Sequence, residues 1–429
     1  MPTRSDMERF LKLLPFSQVR HVIESSMEGI YFEVETLSVV SALGRICSEE
    51  IRSENDIPPR PISAMDGYAI MSGETRNASG SAPARFMIRG ALYPKDANAR
   101  KSISGDDTYY IATGAPIPEG ADAVVRVEQT RLTGNMISVS QHVPDSENVS
   151  FQGEDIRKSE ILFSKGHILN AADIALLISA GKREIKAYKT PNVGIISIGD
   201  ELIAFEDGDN STSQKTINNY SNLIIGLLNN FGIRAETFGI AKDEMAEIRR
   251  MIEHALKKFD CIITIGGTSV GKKDFAPTAV GSVEGASMIF HGVRIVPIRP
   301  TGLALINGKP IFILPGHAVS ATLAFFLTVI PVLNLLSGLS FDSRQAMIEA
   351  ESIGELENDR AIDSIVLVQL KKMDRGFFAT PLEWGSNLIH NLSKANGFVL
   401  LKAKEKIRKH DVLQVLLLGA RELERIPSA

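Results

Sequence analysis

The segment with the clearest chemical potential is a glycine-rich loop at residues 266–271. It reads Gly-Gly-Thr-Ser-Val-Gly, follows the apolar run 261–265 directly, and comes shortly before Asp274. Glycines leave backbone N–H groups free to converge on an anion, and the hydroxyls of Thr268 and Ser269 add two donors. The spacing of a nucleotide-binding Walker loop is absent. The loop alone predicts either an anion site or an ordinary strand-to-helix turn, with no preference between them.

Several carboxylates and one threonine lie in short motifs with turn-forming residues. These motifs are Ser-Ala-Met-Asp-Gly-Tyr-Ala with Asp66, Thr-Gly-Ala-Pro beginning at Thr113, Gly-Glu-Asp-Ile with Asp155, and Gly-Asp-Glu-Leu with Asp200 and Glu201. Asp next to Gly is a usual composition of a tight turn, because both residues tolerate the backbone angles that turns need. Taken singly, each motif is therefore typical of a solvated turn or a hairpin.

The glycine-rich loop falls within residues 189–337, where buried strands alternate with amphipathic helices. The strand-like runs and helix-like segments are 193–198, 223–231, 235–240, 243–258 (with Asp243 at an N-cap position), 261–265 and 310–314. This alternation predicts βαβ units around a mostly parallel sheet, in a three-layer α/β domain. Such sheets bind ligands beyond the carboxyl ends of their strands, and the loops at 199–201, 266–274 and 315–320 are all in that position.

The rest of the chain has a different pattern. Residues 56–149 are short strands with turn signals and predict an inserted β domain. Residues 1–55 and 150–188 carry helical apolar spacing and predict one discontinuous helical linker domain. Residues 338–429 are again rich in strands and predict a C-terminal β-barrel-like domain. The predicted fold class is therefore multidomain α/β plus β.

Composition narrows the classes of function. A formal net charge of −4 argues against nucleic-acid binding, because no excess of Lys and Arg is present to neutralise phosphates. Two cysteines are too few for a disulfide framework. Residues 319–336 carry no charge, but polar side chains such as Thr328 and Asn334 favour a buried core helix over a membrane span. The N-terminus lacks a signal-peptide pattern, so we expect a cytoplasmic protein.

The motifs gain significance in combination. In chain order they are SAMDGYA at 63–69, TGAP and GADAVV at 113–125, GEDI at 153–156, GDEL at 199–202, GGTSVG with Asp-Phe at 266–275, and LPG with Val-Ser at 314–320. These six ordered motifs cover nearly the whole chain. They resemble the signature stretches of the molybdopterin molybdenumtransferase family, which includes the C-terminal domain of gephyrin.

The resemblance implies an assembly and a reaction. Family members are elongated homodimers of four-domain subunits, with the active site between the third domain and the second domain of the partner subunit. Their substrates are adenylylated molybdopterin and molybdate; molybdate is inserted at the dithiolene and AMP is released. We expect no nucleic-acid partner and no membrane partner.

The implied substrates are anionic, yet the motifs supply carboxylates. Close like charges repel by about 4 kcal/mol per pair at a moderate effective dielectric, so we expect Mg²⁺ to bridge carboxylate and phosphate. The resemblance assigns catalysis to Asp66, Asp155, Glu201 and Asp274, metal binding to Asp274, Glu201 and Asp200, and substrate binding to Thr113, Gly266, Gly267, Thr268, Ser269, Gly271, Arg299, Pro315, Gly316 and Ser320.

The chain departs from the family pattern in the wall of the anion pocket. The usual Lys-Pro-Gly-Lys/Arg-Pro is Val-Pro-Ile-Arg-Pro at 296–300, and His317 and Ala318 replace the usual Asn-Pro after Leu-Pro-Gly. His317 is expected to be a capping or packing residue, with a new ligand as the alternative. Two functions stay open: an insertase, or a divergent paralogue that binds or carries molybdopterin, or uses tungstate, without standard turnover.

Overall fold

The structure is a computed structural model and describes residues 13–96, 100–207, 215–268, 275–383, 385 and 388–419. The chain forms two compact units. One unit is Thr36–Ala187, and the other combines the described residues up to Glu35 with those from Tyr188 onward.

Helices are concentrated in the second of these units. The described α helices are α1 Phe16–Met27, α2 Ala171–Ser179, α3 Tyr220–Asn230, α4 Met245–Ala255, α5 Ala276–Gly281, α6 Ala318–Ala324, α7 Ile330–Leu336 and α8 Ile389–Lys394. Short 3-10 turns lie at Val39–Ser41, Ser72–Thr75, Pro94–Asp96 and Val127–Gln129.

The unit Thr36–Ala187 is built largely from strands. They are β1 Val34–Ser38, β2 Ile51–Arg52, β3 Ile62–Ser63, β4 Gly67–Ile70, β5 Ala84–Leu92, β6 Asp107–Ile111, β7 Ala123–Arg126, β8 Thr130–Thr133, β9 Met136–Val139, β10 Val149–Ser150, β11 Ile161–Phe163 and β12 Glu184–Tyr188. Six of them form a sheet in the order β7-β4-β6-β5-β9-β8. The strand content of residues 67–139 confirms the predicted β domain.

Two-stranded ladders and helix α2 lie outside this six-stranded sheet. β3 pairs with β10, β2 pairs with β11, and β1 pairs with β12. Helix α2 begins with a capping box, in which Asn170 accepts from the Asp173 backbone and Asp173 accepts from the Asn170 backbone. Such reciprocal bonds satisfy N–H groups that a helix start leaves without partners.

The central sheet of the other unit is mostly parallel, as predicted. Its strands are β13 Asn192–Ile198, β16 Arg234–Ala241, β17 Cys261–Ile265, β18 Ala286–His291, β20 Gly302–Ile306 and β21 Lys309–Leu314, and the short strands β14 Leu202–Ile203, β15 Thr216–Ile217 and β19 Ile295–Val296 lie between them in the sequence. The order is β16-β13-β17-β21-β20-β18. The four strands from β16 to β21 run parallel and the last two pairings are antiparallel.

Apolar cores cover both faces of this sheet. Ile195 and Ile263 point into one core, and the adjacent Ile196 and Ile262 point into the other. Side chains of a strand alternate between its two faces, so a strand buried on both faces needs the continuous apolar run that the sequence has. Gly194 admits the Phe259 ring, which would lie 2.4 Å from a Cβ at that position.

The long uncharged segment is a core helix with a π-helical interruption. Helix α6, the π segment Phe325–Val329 and α7 follow one another, and 94% of the apolar window within Ala318–Leu336 is buried in the protein. The side-chain amide of Gln345 donates to the Phe326 carbonyl at 2.6 Å, which satisfies a group within the π segment. The helix is long and apolar enough to cross a membrane, but its residues pack into the core.

The C-terminal strands close into a barrel. They are β22 Met347–Ser352, β23 Leu356–Glu357, β24 Asp363–Met373, β25 Gly376–Pro381, β26 Gly397–Leu401, β27 Lys406–Ile407 and β28 Val412–Leu417. The order β24-β25-β22-β28-β26 is closed by pairing of β26 with β24, and β19 adds alongside β24. This confirms the predicted barrel-like domain, and closure leaves no free strand edge among these five.

Local structure differs from the sequence predictions in two places. Val39–Ser41 forms one 3-10 turn, although its apolar spacing predicted a helix. Helix α4 begins after Glu244, so the prediction that Asp243 caps it was wrong; the Asp243 side chain accepts from the Asp200 backbone instead. Helix α1 packs against α7 and β18, within the unit that holds the α/β sheet.

Candidate functional site

The glycine-rich loop begins at the carboxyl edge of the parallel sheet. Ser197 pairs with Ile265 and Ile265 pairs with Leu314, so β13, β17 and β21 end side by side. Gly266 has a φ of +93°, and a Cβ there would lie 2.4 Å from the carbonyl oxygen of Ile198. Because any other residue would displace the β13 backbone, the position requires glycine.

Two further glycines make close contacts in the same place. Gly267 has a φ of +62°, and its Cβ would lie 2.9 Å from Ile198 Cγ2. A Cβ on Gly316 would lie 3.2 Å from the Gly266 Cα. Thr268 is buried, at 3% exposure. The structure thus brings together the predicted residues at the start of this loop and the turn that follows β21.

The Gly-Asp-Glu-Leu motif forms the loop after β13 in the same unit. The Asp200 N–H donates to the Asp243 carboxylate and the Asp243 N–H donates to Asp200, both at 3.2 Å. The Glu201 side chain is exposed, and its Oε1 atom would lie 2.7 Å from a Cβ at Gly199. Asp200 is therefore engaged in holding the loop, whereas no described side chain bonds the Glu201 carboxylate.

A cavity of about 520 Å³ opens beside this loop. Its lining includes Asp200, Lys242 and Asn218. Asn218 is 7% exposed, and its amide donates to the Ser221 hydroxyl at 3.1 Å, which lies 2.9 Å from the Ser197 hydroxyl. Burial of these polar groups is compensated by their mutual bonds, so the network fixes the start of α3 against β13. Burial, and to a smaller extent the negative charge of Glu201, raises the pKa of the nearby Tyr220 phenol.

Arg299 lies in a tightly bonded turn. The Thr301 N–H and hydroxyl donate to the Ile298 carbonyl at 3.1 and 2.7 Å, and the Val293 N–H donates to the Arg299 carbonyl at 2.8 Å. The Arg299 Nε is buried without a hydrogen-bond partner among the described residues. A buried guanidinium donor without a partner is costly, so this group is suited to receive an acceptor from a ligand or water.

The turn after β21 leads into α6. Pro315 is buried, and Ser320 is 1% exposed within the first turn of the helix. His317 occupies the N-cap position and is exposed, but its side chain makes no capping bond. The His317 side chain therefore does not cap α6 by a hydrogen bond. The Ser320 hydroxyl faces the protein interior.

Asp66 and Thr113 are directly bonded in the unit Thr36–Ala187. The Thr113 N–H and hydroxyl donate to the same Asp66 oxygen, Oδ1, at 2.7 and 2.8 Å. The two bonds, led by the backbone one, lower the pKa of the Asp66 carboxyl below its ordinary value. No described residue donates to Asp66 Oδ2. The arrangement keeps an ionised carboxylate in one orientation with one oxygen available.

Backbone contacts explain why these two motifs meet. A Cβ at Gly67 would lie 2.2 Å from the Val125 carbonyl oxygen, so glycine lets β4 enter between β6 and β7. The Gly114 N–H donates to the Ser63 carbonyl at 2.7 Å, which joins the two loops on either side. Tyr110 lies beside them, and burial together with the Asp66 charge raises the pKa of its phenol. Sequence reasoning did not identify Tyr110.

Asp155 lies on an exposed loop of the same unit. Its N–H and that of Ile156 donate to the Ile57 carbonyl at 3.0 and 3.1 Å, while its own side chain is exposed and bonds no described residue. Asp56 holds the loop from the other side through bonds to Gln152 and to the Lys158 backbone. Sequence reasoning missed Asp56, because its partners are about one hundred residues away along the chain.

Comparison with known proteins identifies the family of this chain. Residues 14–181 match the MoeA N-terminal region, domains I and II, and residues 194–335 match a probable molybdopterin binding domain. A molybdopterin molybdenumtransferase of Staphylococcus aureus is 31% identical over 319 residues, 73% of each chain. The chain belongs to the molybdopterin molybdenumtransferase family. It is thus a transferase of molybdenum cofactor biosynthesis.

Longer matches cover almost the whole molybdenumtransferase chain. A putative molybdopterin biosynthesis protein of Methanocaldococcus jannaschii is 29% identical over 427 residues, 96% of this chain and 100% of the relative. The crystal structure of a MoeA protein from Pyrococcus horikoshii superposes with a TM-score of 0.82 at 26% identity, covering 95% of this chain and all of that one. The similarity therefore extends to the C-terminal barrel.

The described carboxylates of the molybdenumtransferase do not form a ready-made metal cage. Among the described residues, no group of three or more His, Cys, Asp and Glu side chains is arranged to hold a metal. Ser269 and Gly271 of the glycine-rich loop, and Asp274 shortly after it, lie outside the described residues. The metal roles of Asp274, Glu201 and Asp200 therefore stay predictions.

Proposed function

We propose that this molybdenumtransferase inserts molybdate into adenylylated molybdopterin and releases AMP, with Mg²⁺ as the metal cofactor. The observation that carries the proposal is the close approach of Gly316 to Gly266, at the carboxyl edge of the sheet where the glycine-rich loop begins. The Gly266 N–H is anchored on the Leu314 carbonyl at 3.1 Å, while the N–H groups of Gly267 and Thr268 have no acceptor among the described residues. Converging N–H groups at a strand-to-helix loop are suited to a phosphate.

The reaction makes and breaks a defined set of bonds. Two Mo–S bonds form at the dithiolene, two molybdate oxygens leave as water after taking up protons, and water cleaves the phosphoanhydride to give AMP. Asp66 supports the aqueous part of this reaction, because Thr113 keeps its carboxylate ionised and oriented with Oδ2 available. In our proposal Asp66 and Asp155 orient water or molybdate.

The donor set is compatible with Mg²⁺ that shares its ligands with the substrate. Mg²⁺ takes oxygen ligands and is usually bound by one or two carboxylates together with substrate phosphates. In our proposal the exposed carboxylate of Glu201, with Asp274, supplies the protein ligands. The cation, when bound, neutralises the charge that develops on the phosphate oxygens. Asp200 contributes by fixing the loop through its two reciprocal hydrogen bonds with Asp243.

A turnover assay tests this proposal. Purified protein is incubated with adenylylated molybdopterin and Mg²⁺, with molybdate, tungstate or no oxyanion, and AMP and cofactor are quantified. We expect AMP and cofactor to form with an oxyanion, and Asp274→Asn to reduce the Mg²⁺-dependent rate. Full AMP release by the Asn variant would remove Asp274 from the metal site.

One observation favours the second candidate, a divergent paralogue that binds or carries molybdopterin, or uses tungstate, without standard turnover. Ile298 is fully buried, and Val296 pairs with Ser364 of the barrel. The family usually has a Gly at the position of Ile298 and a Lys at the position of Val296; here Ile298 lies in the core and Val296 lies in a strand pairing. Binding of adenylylated molybdopterin without AMP release, with either oxyanion, would support this alternative.

We further propose that the protein is a cytoplasmic homodimer, as the family resemblance implies. Cytoplasmic location is supported by the burial of the one described helix that is apolar enough to span a membrane. Sedimentation equilibrium tests the assembly. One chain has a mass of 46.7 kDa, and we expect a single species of twice that mass. A monomer at micromolar concentration would contradict the proposal.

A further inference from the structure

The loop that carries Asp155 is held by a side chain from a distant part of the sequence. Asp56 Oδ2 accepts from the Gln152 side-chain amide at 2.6 Å, and Asp56 Oδ1 accepts from the Lys158 N–H at 2.7 Å. One carboxylate therefore bonds both ends of the segment that has Asp155 in its middle. These bonds, with the Lys158 backbone bond first, lower the pKa of the Asp56 carboxyl, so the acceptor is ionised at neutral pH.

The backbone of the same segment leaves little room for another shape. Gly153 has a φ of +68°, and its Cβ would lie 3.3 Å from Asp56 Oδ1. The Gly153 N–H donates to the Pro58 carbonyl at 3.0 Å, and the Asp155 N–H donates to the Ile57 carbonyl at 3.0 Å. Residues 56–58 thus bond the loop through two backbone carbonyls and one carboxylate.

Each flank of the loop is closed by a carboxylate of its own. Glu154 Oε2 accepts from the Phe151 N–H at 2.8 Å, and Glu160 Oε2 accepts from the Arg157 N–H at 3.0 Å. Asp155 lies between these two turns with an exposed side chain that bonds no described residue. Of the carboxylates around this loop, Asp56 is the one that connects the two turns to each other.

We propose that Asp56 is a positioning residue for Asp155, because it bonds both ends of the 152–158 loop and so fixes where the Asp155 carboxylate is presented. The proposal rests on the proposed function for its kinetic readout. That Asp56 fixes the 152–158 loop does not depend on which reaction the protein catalyses.

The kinetic test uses a double-mutant cycle on AMP release. Asp56→Ala is expected to lower kcat by about 10- to 100-fold, the usual cost of misplacing a reacting group by about 1 Å. Because the effect acts through Asp155, Asp56→Ala is expected to add little to the loss already caused by Asp155→Asn. Two losses that multiply would overturn the proposal.

A rescue variant separates positioning from general destabilisation. Asp56→Asn combined with Gln152→Glu exchanges donor and acceptor in the side-chain bond, keeps an oxygen for the Lys158 N–H and leaves the net charge unchanged. We expect this pair to recover kcat to within a few-fold of wild type. Asp363→Ala is the matched control, since Asp363 also accepts from a distant turn through both oxygens, at 3.0 and 3.4 Å, and lies in the barrel. It is expected to leave kcat unchanged.

A second readout needs no activity. Arg157 and Lys158 are exposed trypsin sites inside the loop. Asp56→Ala is expected to speed cleavage after these two residues several-fold, as followed by mass spectrometry, while Asp363→Ala does not. If wild type releases no AMP, the proposed function fails, and the tryptic rates still decide the question. Cleavage of Asp56→Ala at the wild-type rate would overturn the proposal.

Discussion

Thr113 donates both its N–H and its hydroxyl to a single oxygen of Asp66, at 2.7 and 2.8 Å. Two donors on one oxygen fix the plane of the carboxylate and stabilise its charged form, while the other oxygen faces away from both bonds. A carboxylate held in this way is a better acceptor for an ordered water than one on a mobile turn. The two hydrogen bonds join the Asp-Gly and Thr-Gly motifs in one local structure, which neither motif indicates alone.

Thr113→Val is expected to shift the acid limb of the pH–rate profile to higher pH. The variant keeps the backbone bond and loses the hydroxyl bond, so the pKa of Asp66, now lowered by both, rises toward its ordinary value. The stability contributed by ionised Asp66, present above the ordinary carboxyl pKa, is then lost at a higher pH as the solution is acidified. Kinetics of AMP release across the acid range measure the shift.

The control for that shift is Thr130→Val in the same unit. The Thr130 hydroxyl donates to the Val127 carbonyl at 2.8 Å and bonds no described carboxylate, so its loss should leave the pH–rate profile unchanged. Equal shifts in the two variants would mean that Asp66 does not set the acid limb.

Gly266→Ala is expected to destabilise the protein and abolish anion binding at the loop. A Cβ there meets the Ile198 carbonyl at 2.4 Å, and the φ of +93° is itself unfavourable for alanine. Strain of this kind costs about 1–3 kcal/mol. Denaturant titration measures the stability change, and calorimetry with pyrophosphate and Mg²⁺ measures the anion binding.

Gly226→Ala provides the matched comparison. Gly226 lies inside helix α3, and a Cβ there would meet nothing within 4 Å. Alanine in a helix interior should increase stability by about 0.5–1 kcal/mol. If both substitutions changed stability in the same direction, the close contact at Gly266 would not be what constrains the loop.

His291 is expected to make stability fall as the pH drops. Burial lowers the pKa of its imidazole, with a smaller opposing effect from a bond to the Pro300 backbone. The unfolded chain binds the proton more readily than the folded one below the ordinary value of about 6.5, so unfolding is favoured there. The free energy of unfolding of wild type should therefore decrease more than that of His291→Leu between about pH 7.5 and about pH 5.5. Parallel curves for the two proteins would show that His291 is not protonated differently on unfolding.

The sequence alone was sufficient to predict the strands of the α/β domain and to recognise the motifs in their order along the chain. The runs at 193–198, 261–265 and 310–314 are continuous and apolar because their strands are buried on both faces, and that pattern has few other interpretations. The closed barrel was predicted less directly, from strand content alone.

Side-chain partners that are distant in sequence explain what the sequence did not reveal. Asp243 stands where an N-cap is expected, but its carboxylate accepts from the N–H of Asp200, 43 residues away. Asp56 shows no local signal, since Gln152 and Lys158 lie 96 and 102 residues away. Such contacts are set by tertiary structure, which single-residue propensity and periodicity do not encode.

The most direct test of the central claim is the stoichiometry of one turnover. Protein, adenylylated molybdopterin, Mg²⁺ and molybdate are mixed, and released AMP is compared with molybdenum bound to the dithiolene product. We expect one AMP for each molybdenum inserted, and we expect Asp66→Asn to reduce both strongly. Substrate that stays bound and intact, with neither AMP nor inserted metal after prolonged incubation with molybdate, would contradict it.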